Sequence, residues 1–502
     1  MDWRAPYAET VQIKVAYPEV TNAVFAEGED QNNNLWTKIW KERFNVEVLA
    51  DWVSIEYDTK LNLAIASQAI PDAFRANTVQ FNQLIAADLI EDLTEAYETY
   101  GSPSYKDMME SNWDIVETAM VDGKIMGMPR LHYGYETSTM HLWLRKDWAE
   151  ASGITDDNMK TIADFEFAMD AFMKNHGAKY GVMLEKTLST FFQMAPSFHA
   201  APQIWVDGPD GSIVYGATMP ETKAALAKWA EWYSKGYIRE DFATLDSAAQ
   251  FQDAFKGFAG AYFQQNWAGW QVGKDMLDNQ GDNTWFVAYP MPAVDDSKIM
   301  FPLTFQNDGY SVVRKGYANP EVLIKLTSSY VDILDDSLGE GTMTLEEVLP
   351  FNTHDMHHVT GPFKVLFQHY NDIKEVVAAN ETGVEKFSSG NGTLFYNEIQ
   401  KWIKDKDSVG LGRYLQMGYA QSSLARAIGH VDNEQILKDK VWGATPQAVI
   451  DYGSTLNDLL VQGYTKIIMG VEPIDYYDTL IAEWKTAGGD AATASVNEMY
   501  GN

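Results

Sequence analysis

The sequence predicts an α/β protein built from two large lobes, and three observations support this fold class. The chain has 502 residues, which at roughly 100–200 residues per domain allows two to four domains or two large lobes. Apolar residues first alternate with period two and then recur at helical spacing, as in strand–helix–strand units. No repeat, low-complexity tract or long Pro/Gly/Ser linker divides the chain. This favours two lobes between which the chain passes several times.

The first part of the chain predicts strands and helices in alternation. Strands are predicted around Val11–Val15, Val46–Val48 and Pro71–Phe74, and a helix through Leu35–Trp40 separates the first two. This order implies parallel pairing and a sheet with helices on both faces. Ligands of such sheets bind in the crevice at the carboxyl ends of the strands.

Later segments carry local signals for strands, turns and helix starts. Leu142–Leu144 predicts a strand, and Asp210–Gly211 predicts a hairpin turn. Thr161 with Asp164, and Asn319–Glu321, are typical of helix starts. The C-terminal part is predicted to be mostly helical.

Composition excludes several classes of function. The chain has 71 acidic and 38 basic residues and a net charge of −33, which argues against nucleic acid or an anionic membrane surface as the main partner. The absence of cysteine excludes disulfide scaffolds, thiolate zinc sites and cysteine nucleophiles. The start Met1–Arg4 has no apolar core of a signal peptide. Either the protein is cytosolic, or a leader has been removed and a start methionine added.

Short segments spread over almost the whole chain resemble, in their order and spacing, the segments of a known protein family. They are Gly127–Pro129, Leu144–Trp148, Asp207–Tyr215, Pro220–Glu221, Gly309–Val313, Asn319–Glu321, Thr465–Gly470, Trp484–Lys485, Gly488–Asp490 and Val496–Tyr500. Together they resemble the extracellular solute-binding proteins of bacterial carbohydrate ABC importers, of the family 1 type and its long lipoprotein subgroup.

The resemblance implies a two-lobed, periplasmic-binding-protein-like clamshell. Each lobe is expected to be a mostly parallel sheet flanked by helices, with extra helices at the C-terminus. The first lobe is expected at 1–140 plus 290–340, and the second at 141–289 plus 341–502. The ligand is expected in the cleft between the lobes, which closes on binding.

The function that this resemblance implies is that of a non-enzymatic receptor. It captures an oligosaccharide and delivers it to the permease subunits of an ABC transporter, and it is expected to be monomeric. The native form is expected to be extracellular and membrane-anchored as a lipoprotein, although this sequence contains neither leader nor anchoring cysteine.

Two alternatives stay open. A glycoside hydrolase or lyase needs only two carboxylates and aromatic residues, and with 71 acids a carboxylate pair can always be chosen. A receptor for peptides or other solutes on the same scaffold is the other alternative. The sequence has no G-x-S-x-G, P-loop, Rossmann glycine run or H-E-x-x-H motif, so no catalytic residue and no cofactor are assigned.

The first candidates for ligand binding are Asn266, Trp267 and Trp270. They follow a predicted strand at Gly260–Phe263, and indoles beside amides suit the apolar face and the hydroxyls of a pyranose. Packing in the core, at i and i+3 of a helix start, is the alternative interpretation.

Further candidates lie in loops beside predicted strands and helices, or are later aromatic residues. One of the asparagines at 32–34 is expected to cap the first helix, and another to reach the ligand. The further candidates are His132, Tyr133, Tyr135, Asn33, Asn34, Arg75, Asn77, Asn307, Asp308, Trp402 and Trp442.

No metal site is assigned. His354, His357 and His358 are expected to form a solvated helix face. A structural calcium is left open at Thr155–Asn158 or Asp278–Asn283, although neither segment has the alternating oxygen ligands of an EF-hand loop.

The negative net charge predicts a neutral or weakly charged sugar. Arg75, Arg130 and Arg145 are the argument against this, because arginine grips a uronate carboxylate well.

Overall fold

The computed structural model describes residues 2–19, 25, 27–131, 135–281, 284–305, 307–339, 365–378 and 390–501. Labels follow chain order. The strands are β1 (Val11–Pro18), β2 (Val46–Ser54), β3 (Ala73–Ala76), β4 (Met120–Val121), β5 (Lys124–Ile125), β6 (Met128–Leu131), β7 (His141–Arg145), β8 (Trp205–Asp207), β9 (Ile213–Tyr215), β10 (Ala261–Gln264), β11 (Phe286–Tyr289), β12 (Phe301–Leu303), β13 (Asn307–Val313) and β14 (Ile436–Lys438).

Helices account for most of the remaining described residues. They are α1 (Leu35–Phe44), α2 (Tyr57–Ser67), α3 (Thr78–Ala86), α4 (Thr94–Tyr100), α5 (Pro103–Glu110), α6 (Trp113–Val116), α7 (Tyr135–Ser138), α8 (Lys146–Ala151), α9 (Ile162–Asn175), α10 (Ser189–Met194), α11 (Pro220–Ser234), α12 (Ser247–Phe255), α13 (Ala268–Gln280), α14 (Glu321–Gly339), α15 (Val365–Ala378), α16 (Gly390–Asp405), α17 (Ser408–Met417), α18 (Ser423–Asp432), α19 (Gln447–Ile468), α20 (Tyr476–Trp484) and α21 (Asp490–Tyr500). Among the described residues, none of these helices is long and apolar enough to cross a membrane.

The chain divides into two compact units. Unit 1 comprises Met1–Gly134, Gln306–Val365 and Glu385–Leu394, and unit 2 comprises Tyr135–Phe305, Leu366–Val384 and Phe395–Asn502. Each unit therefore contains several separate stretches of the sequence.

The sheet of unit 1 has the strand order β2-β1-β3-β13-β6. β1 is parallel to β2 and to β3, whereas β13 is antiparallel to both of its neighbours. The mostly parallel sheet expected for the first lobe is therefore present. As a result, the carboxyl ends of β3 and β6 and the first residue of β13 lie at the same edge of the sheet.

Helix α1 shows how local sequence builds unit 1. The side chain of Asn34 caps its N-terminus, and Asn45 ends it in the left-handed conformation with a φ of 55°. Trp36, Trp40 and Phe44 are buried, because their spacing of four places them on one helix face. The predicted start of this helix after one of the asparagines at 32–34 is confirmed.

The three-stranded sheet of unit 2 corrects the expectation of a mostly parallel sheet in the second lobe. β7 lies between β10 and β11 and is antiparallel to both. β10 and β11 thus run in the same direction and are joined by α13. Alternation of strands and helices does not fix strand direction when a third strand enters between two parallel ones.

A two-stranded parallel pair, β12 and β14, also belongs to unit 2. Residues 290–305 were expected in the first lobe. The structure corrects this, because the partner of β12 is a strand more than 130 residues later, and backbone pairing holds this segment in unit 2.

The core of unit 2 joins distant parts of the chain. One apolar cluster extends from Leu142 on β7 to Val496 on α21 and includes Trp229, Tyr464 and Trp484. The rings of Tyr215 and Trp484 stack with centroids 5.6 Å apart. The prediction of a mostly helical C-terminal part is confirmed, with the short strand β14 as an exception.

Candidate functional site

A polar pocket of about 540 Å³ lies in unit 2 beside Gln265, the residue that follows β10. Five carboxamide side chains line it, and each offers both donors and an acceptor of hydrogen bonds. They are Gln193, Gln203, Gln265, Asn457 and Gln462. Lys186, Asp458 and Phe192 add one cation, one anion and one aromatic ring.

A buried carboxylate shapes one wall of this pocket. Glu185 is 0% exposed, and it accepts hydrogen bonds from the backbone N and the hydroxyl of Thr187, both at 2.6 Å, and from the backbone N of Ser189 at 2.9 Å. Thr187 and Ser189 line the pocket. Glu185 therefore fixes the turn that precedes α10.

The ends of two strands support another part of the pocket lining. Gln264 ends β10 and pairs with His141, the first residue of β7. The side-chain amide of Gln193 donates to Oε1 of Gln264 at 2.8 Å. The lining residues Met140 and Gln265 are thus directly attached to sheet residues, which gives this wall a rigid support.

The chemistry of the pocket favours a neutral ligand that carries many hydroxyl groups. Amides bond hydroxyls without adding charge, and the lysine and the aspartate balance one another. The ring of Phe192 offers an apolar surface beside these polar groups.

The predicted loop of Asn266, Trp267 and Trp270 connects β10 to α13. Asn266 is 1% exposed, its Oδ1 accepts from Nε2 of Gln416 at 2.7 Å, and its carbonyl accepts from the hydroxyl of Ser423 at 2.7 Å. The predicted ligand contact of Asn266 is therefore replaced by an internal one, since these bonds anchor the loop to α17 and α18.

The two tryptophans of this loop differ in exposure. Trp267 is half-buried, whereas Trp270 on the first turn of α13 is 36% exposed. The guanidinium carbon of Arg413 lies 4.8 Å from the ring centroid of Trp270. Of the two, Trp270 offers the larger open surface to a ligand.

In unit 1, two predicted residues meet at the sheet edge. Asp308 lies 3.8 Å from Arg75 and 3.6 Å from Arg130, measured between a guanidinium nitrogen and a carboxylate oxygen. Arg130 is only 1% exposed, while half of the Asp308 side chain is exposed. The backbone of Arg75 exchanges hydrogen bonds with the hydroxyl of Tyr57, at 2.8 and 3.1 Å.

Most of the predicted asparagines of unit 1 form hydrogen bonds to backbone groups. Oδ1 of Asn34 accepts from the backbone N of Trp36 and of Thr37, at 3.0 and 3.2 Å, so the prediction that one of residues 32–34 caps α1 is confirmed. Asn77 caps α3 in the same way. Asn33 is exposed and lines a separate pocket of about 370 Å³.

Asn307 shapes the first residues of β13. Its Oδ1 accepts from the backbone N of Arg130 at 3.2 Å and of Gly309 at 3.1 Å. Gly309 has a φ of +107°, and a Cβ there would lie 2.6 Å from the carbonyl oxygen of Ala76, so only glycine fits. Asn307 thus holds the bulge that places Asp308 between the arginines.

Comparison with known proteins identifies the family. Residues 37–322, more than half of the chain, match the model of the family described as bacterial extracellular solute-binding protein. The chain belongs to this family. A curated relative of this solute-binding protein is lipoprotein LipO of Bacillus subtilis (strain 168), which is 21% identical over 482 residues, or 90% of this chain and 86% of that protein.

Solved structures share the fold of this solute-binding protein. The alginate-binding protein AlgQ2 matches with a TM-score of 0.64 and 12% identity, over 99% of each chain. An HMO-binding, ABC-transporter-associated solute-binding protein of Bifidobacterium longum infantis matches with a TM-score of 0.64 and 13% identity, over 98% of each chain. The fold is therefore that of the two-lobed periplasmic binding proteins.

The later aromatic candidates take up packing positions in this solute-binding protein. Trp402 is 4% exposed, and its ring meets that of Trp285 edge-to-face at 5.3 Å. Its predicted ligand contact is therefore corrected to a core contact. Trp442 is half-buried, with the ammonium of Lys438 at 3.8 Å from its ring and Phe305 at 5.5 Å.

Three candidates, His132, Tyr133 and Tyr135, lie between β6 and β7, and the structure describes only one of them. Tyr135 begins α7 and is half-buried, and its carbonyl accepts from the hydroxyl of Ser138 at 3.0 Å. His132 and Tyr133 lie outside the described residues.

The segments considered for metals carry other contacts where they are described. Arg426 donates to both carboxylate oxygens of Asp156, at 2.9 and 2.7 Å, and Asp278 lies on α13. His354, His357, His358, Asp282 and Asn283 lie outside the described residues. Within the described part of the chain, no group of three or more His, Cys, Asp or Glu residues is arranged to hold a metal ion.

Sequence reasoning missed the amides that line the pocket from α10 and α19. Gln193 lies 71 residues before Gln264, and Asn457 and Gln462 come from the C-terminal part. Single amides on helices carry no local signal for function, because solvated helix faces have the same composition.

Proposed function

We propose that this chain is a receptor that binds a neutral oligosaccharide and delivers it to the permease of an ABC importer. The observation that carries the proposal is the pocket of unit 2, in which five carboxamides surround one aromatic ring and two opposite charges. Hydroxyl groups of a sugar bond to such amides, while its C–H faces pack on rings.

The arginines that favoured an acidic sugar are already engaged with acids. Arg145 donates to both oxygens of Asp147, at 2.8 and 3.0 Å. Arg75 and Arg130 lie 3.8 and 3.6 Å from a carboxylate oxygen of Asp308. Together with a net charge of −33, this supports a neutral rather than a uronate-containing ligand.

The comparisons support a carbohydrate as the ligand class and a cell-surface location. Proteins of the same fold are named as alginate-binding and HMO-binding, and the curated relative is named a lipoprotein. We therefore place the native protein outside the cell, anchored as a lipoprotein, monomeric and with the permease subunits as its partners. Such a receptor releases its ligand chemically unchanged.

The test is a calorimetric titration of the protein with a panel of neutral oligosaccharides and a matched uronate. The panel is maltotriose, cellotriose, mannotriose, kestose and a trimer of uronic acid. We expect one neutral sugar to bind and to stabilise the fold by RT ln(1 + [L]/Kd), about 2.7 kcal/mol at a hundredfold excess over Kd. Binding of the uronate alone contradicts the neutral ligand, and release of shorter sugars indicates a glycosidase instead.

Two variants of α19 locate the binding site. Gln462→Met removes a lining amide at nearly constant volume and is expected to weaken binding about tenfold, by the loss of roughly one hydrogen bond. Gln447→Met is the matched control, because Gln447 is exposed and bonds to Asp451 on its own helix. Equal affinities of both variants exclude this pocket.

A further inference from the structure

Trp270 lies directly on a glycine of another helix. A Cβ at Gly412 of α17 would be 2.6 Å from Cδ2 and 2.7 Å from Cε3 of the indole. No side chain larger than hydrogen fits there unless the ring moves. Gly269, next to Trp270, makes the same kind of close approach to Leu415, so at both points a glycine of one helix packs against a large side chain of the other.

Arg413, the neighbour of Gly412, is fixed on several sides. Its guanidinium carbon lies 4.8 Å from the ring centroid of Trp270 and 3.5 Å from that of Phe395. Its Nε donates to Glu398 at 2.9 Å and its Nη1 to Oε1 of Gln416 at 2.7 Å. Arg413, Phe395, Glu398 and Gln416 are all at least nine-tenths buried.

The same network reaches the polar pocket. Gln416 passes the chain of hydrogen bonds on to Asn266 at 2.7 Å, and Asn266 directly follows Gln265, which lines the pocket. Thus α17 contacts Trp270 and, through Gln416, the residue next to the pocket-lining Gln265.

We propose that Gly412 and Arg413 are positioning residues that hold Trp270 as a one-sided stacking surface for the sugar. The glycine and the guanidinium both lie against the indole, and about a third of the residue stays exposed. A ring that is fixed in advance loses little conformational freedom when a pyranose stacks on it. This inference rests on the proposed function. It adds that residues of α17, about 140 residues after Trp270 in the chain, contribute to the affinity for the sugar.

The test is a double-mutant cycle in binding. Gly412→Ala, Trp270→Ala and the double variant are titrated with the sugar of the neutral panel that the wild type binds. We expect Gly412→Ala to weaken binding at least tenfold, and to have less than a twofold effect when Trp270 is already alanine. Gly429→Ala on α18 is the matched control, because a Cβ there meets nothing within 4 Å, and its affinity should equal that of the wild type.

The outcomes separate this inference from the proposed function. If the wild type binds no sugar of the panel, both fall. If the wild type binds but Gly412→Ala binds equally well, or weakens binding to the same extent with and without Trp270, only the positioning role is overturned. Should Gly412→Ala not fold, the cycle is run with Arg413→Lys, which keeps the charge beside the ring and loses the forked hydrogen bonds.

Discussion

His141 and His430 stack inside unit 2, with ring centroids 6.0 Å apart and 22° between the ring planes. His141 is completely buried, and neither of its ring nitrogens has a hydrogen-bond partner among the described residues. His430 contacts Gln435 through Nδ1 at 3.0 Å. Burial lowers the pKa of His141 well below its usual value, and burial also lowers the pKa of His430, with Arg426 acting in the same direction on both.

We therefore expect unit 2 to lose stability as the pH falls below about 6.5. There the unfolded chain takes up protons that the folded protein excludes, so each histidine that stays neutral costs up to about 1.4 kcal/mol per pH unit. His141→Leu removes one of the two groups and should flatten this decline. Urea unfolding at pH 5 to 8 measures it, and an unchanged slope in the variant contradicts the assignment.

Asp439 should give the stability of the fold a pH dependence of the opposite sign. Burial raises the pKa of Asp439 to about 6, so the folded protein keeps a proton that the unfolded chain releases above about pH 4. Stability from this group is present at low pH and is lost as the pH rises from about 4 to 6, by up to about 3 kcal/mol. Asp439→Asn keeps the acceptor for Trp205 and Val441, and it should stabilise more at pH 7.5 than at pH 5. An equal effect of the variant at both pH values would refute the raised pKa.

Truncation of the tryptophans should separate ligand contact from packing. Trp270→Ala should lower sugar affinity ten- to thousandfold, at ~25 cal/mol per Å² of lost contact, and should lower the melting temperature less than Trp402→Ala does, because Trp270 is partly exposed. Trp402→Ala is the buried control and should cost about 3–5 kcal/mol of stability. Trp267→Ala should lie between the two, since its side chain is half-buried. Calorimetry and thermal unfolding of all three variants measure sugar affinity and stability separately. Normal sugar binding by Trp270→Ala would exclude Trp270 as a ligand contact.

Replacement of Glu185 should disturb the pocket by weakening the turn that carries Thr187 and Ser189. Glu185→Gln puts an amide NH₂ where a carboxylate oxygen accepts a hydrogen bond, so one donor of Thr187 loses its partner, at a cost of about 1–3 kcal/mol. We expect weaker sugar binding together with lower stability. Glu221→Gln, in the first turn of α11, is a matched exchange away from the pocket. If both variants bind alike, the turn at Lys186–Ser189 does not contribute to binding.

Local signals in the sequence were sufficient for much of the fold. Asn34 and Thr161 cap helices as short polar residues before apolar runs do. The antiparallel direction of β7 and the pairing of β12 with β14 were not predictable, because both depend on contacts between residues far apart in the chain.

None of the described residues that the sequence predicted to bind the ligand lines the pocket of unit 2. Trp270 stands out in the sequence, and its exposure agrees with a role at the surface. Asn266 was predicted to touch the ligand, and the structure turns it inward to Gln416, because the amide of an asparagine bonds equally well to protein and to ligand. The amides of α10 and α19 needed the three-dimensional structure, since nothing in their own segments distinguishes them.

The pairing of β12 with β14 has a consequence for the order in which the chain is made. At roughly 5–20 residues per second during synthesis, β12 waits on the order of ten seconds for the strand that covers it. The cluster that runs from Leu142 to Val496 is completed later still. Unit 2 therefore reaches its native packing only when almost the whole polypeptide is available, and until then its apolar surface depends on chaperones or on rapid completion of the chain to escape aggregation.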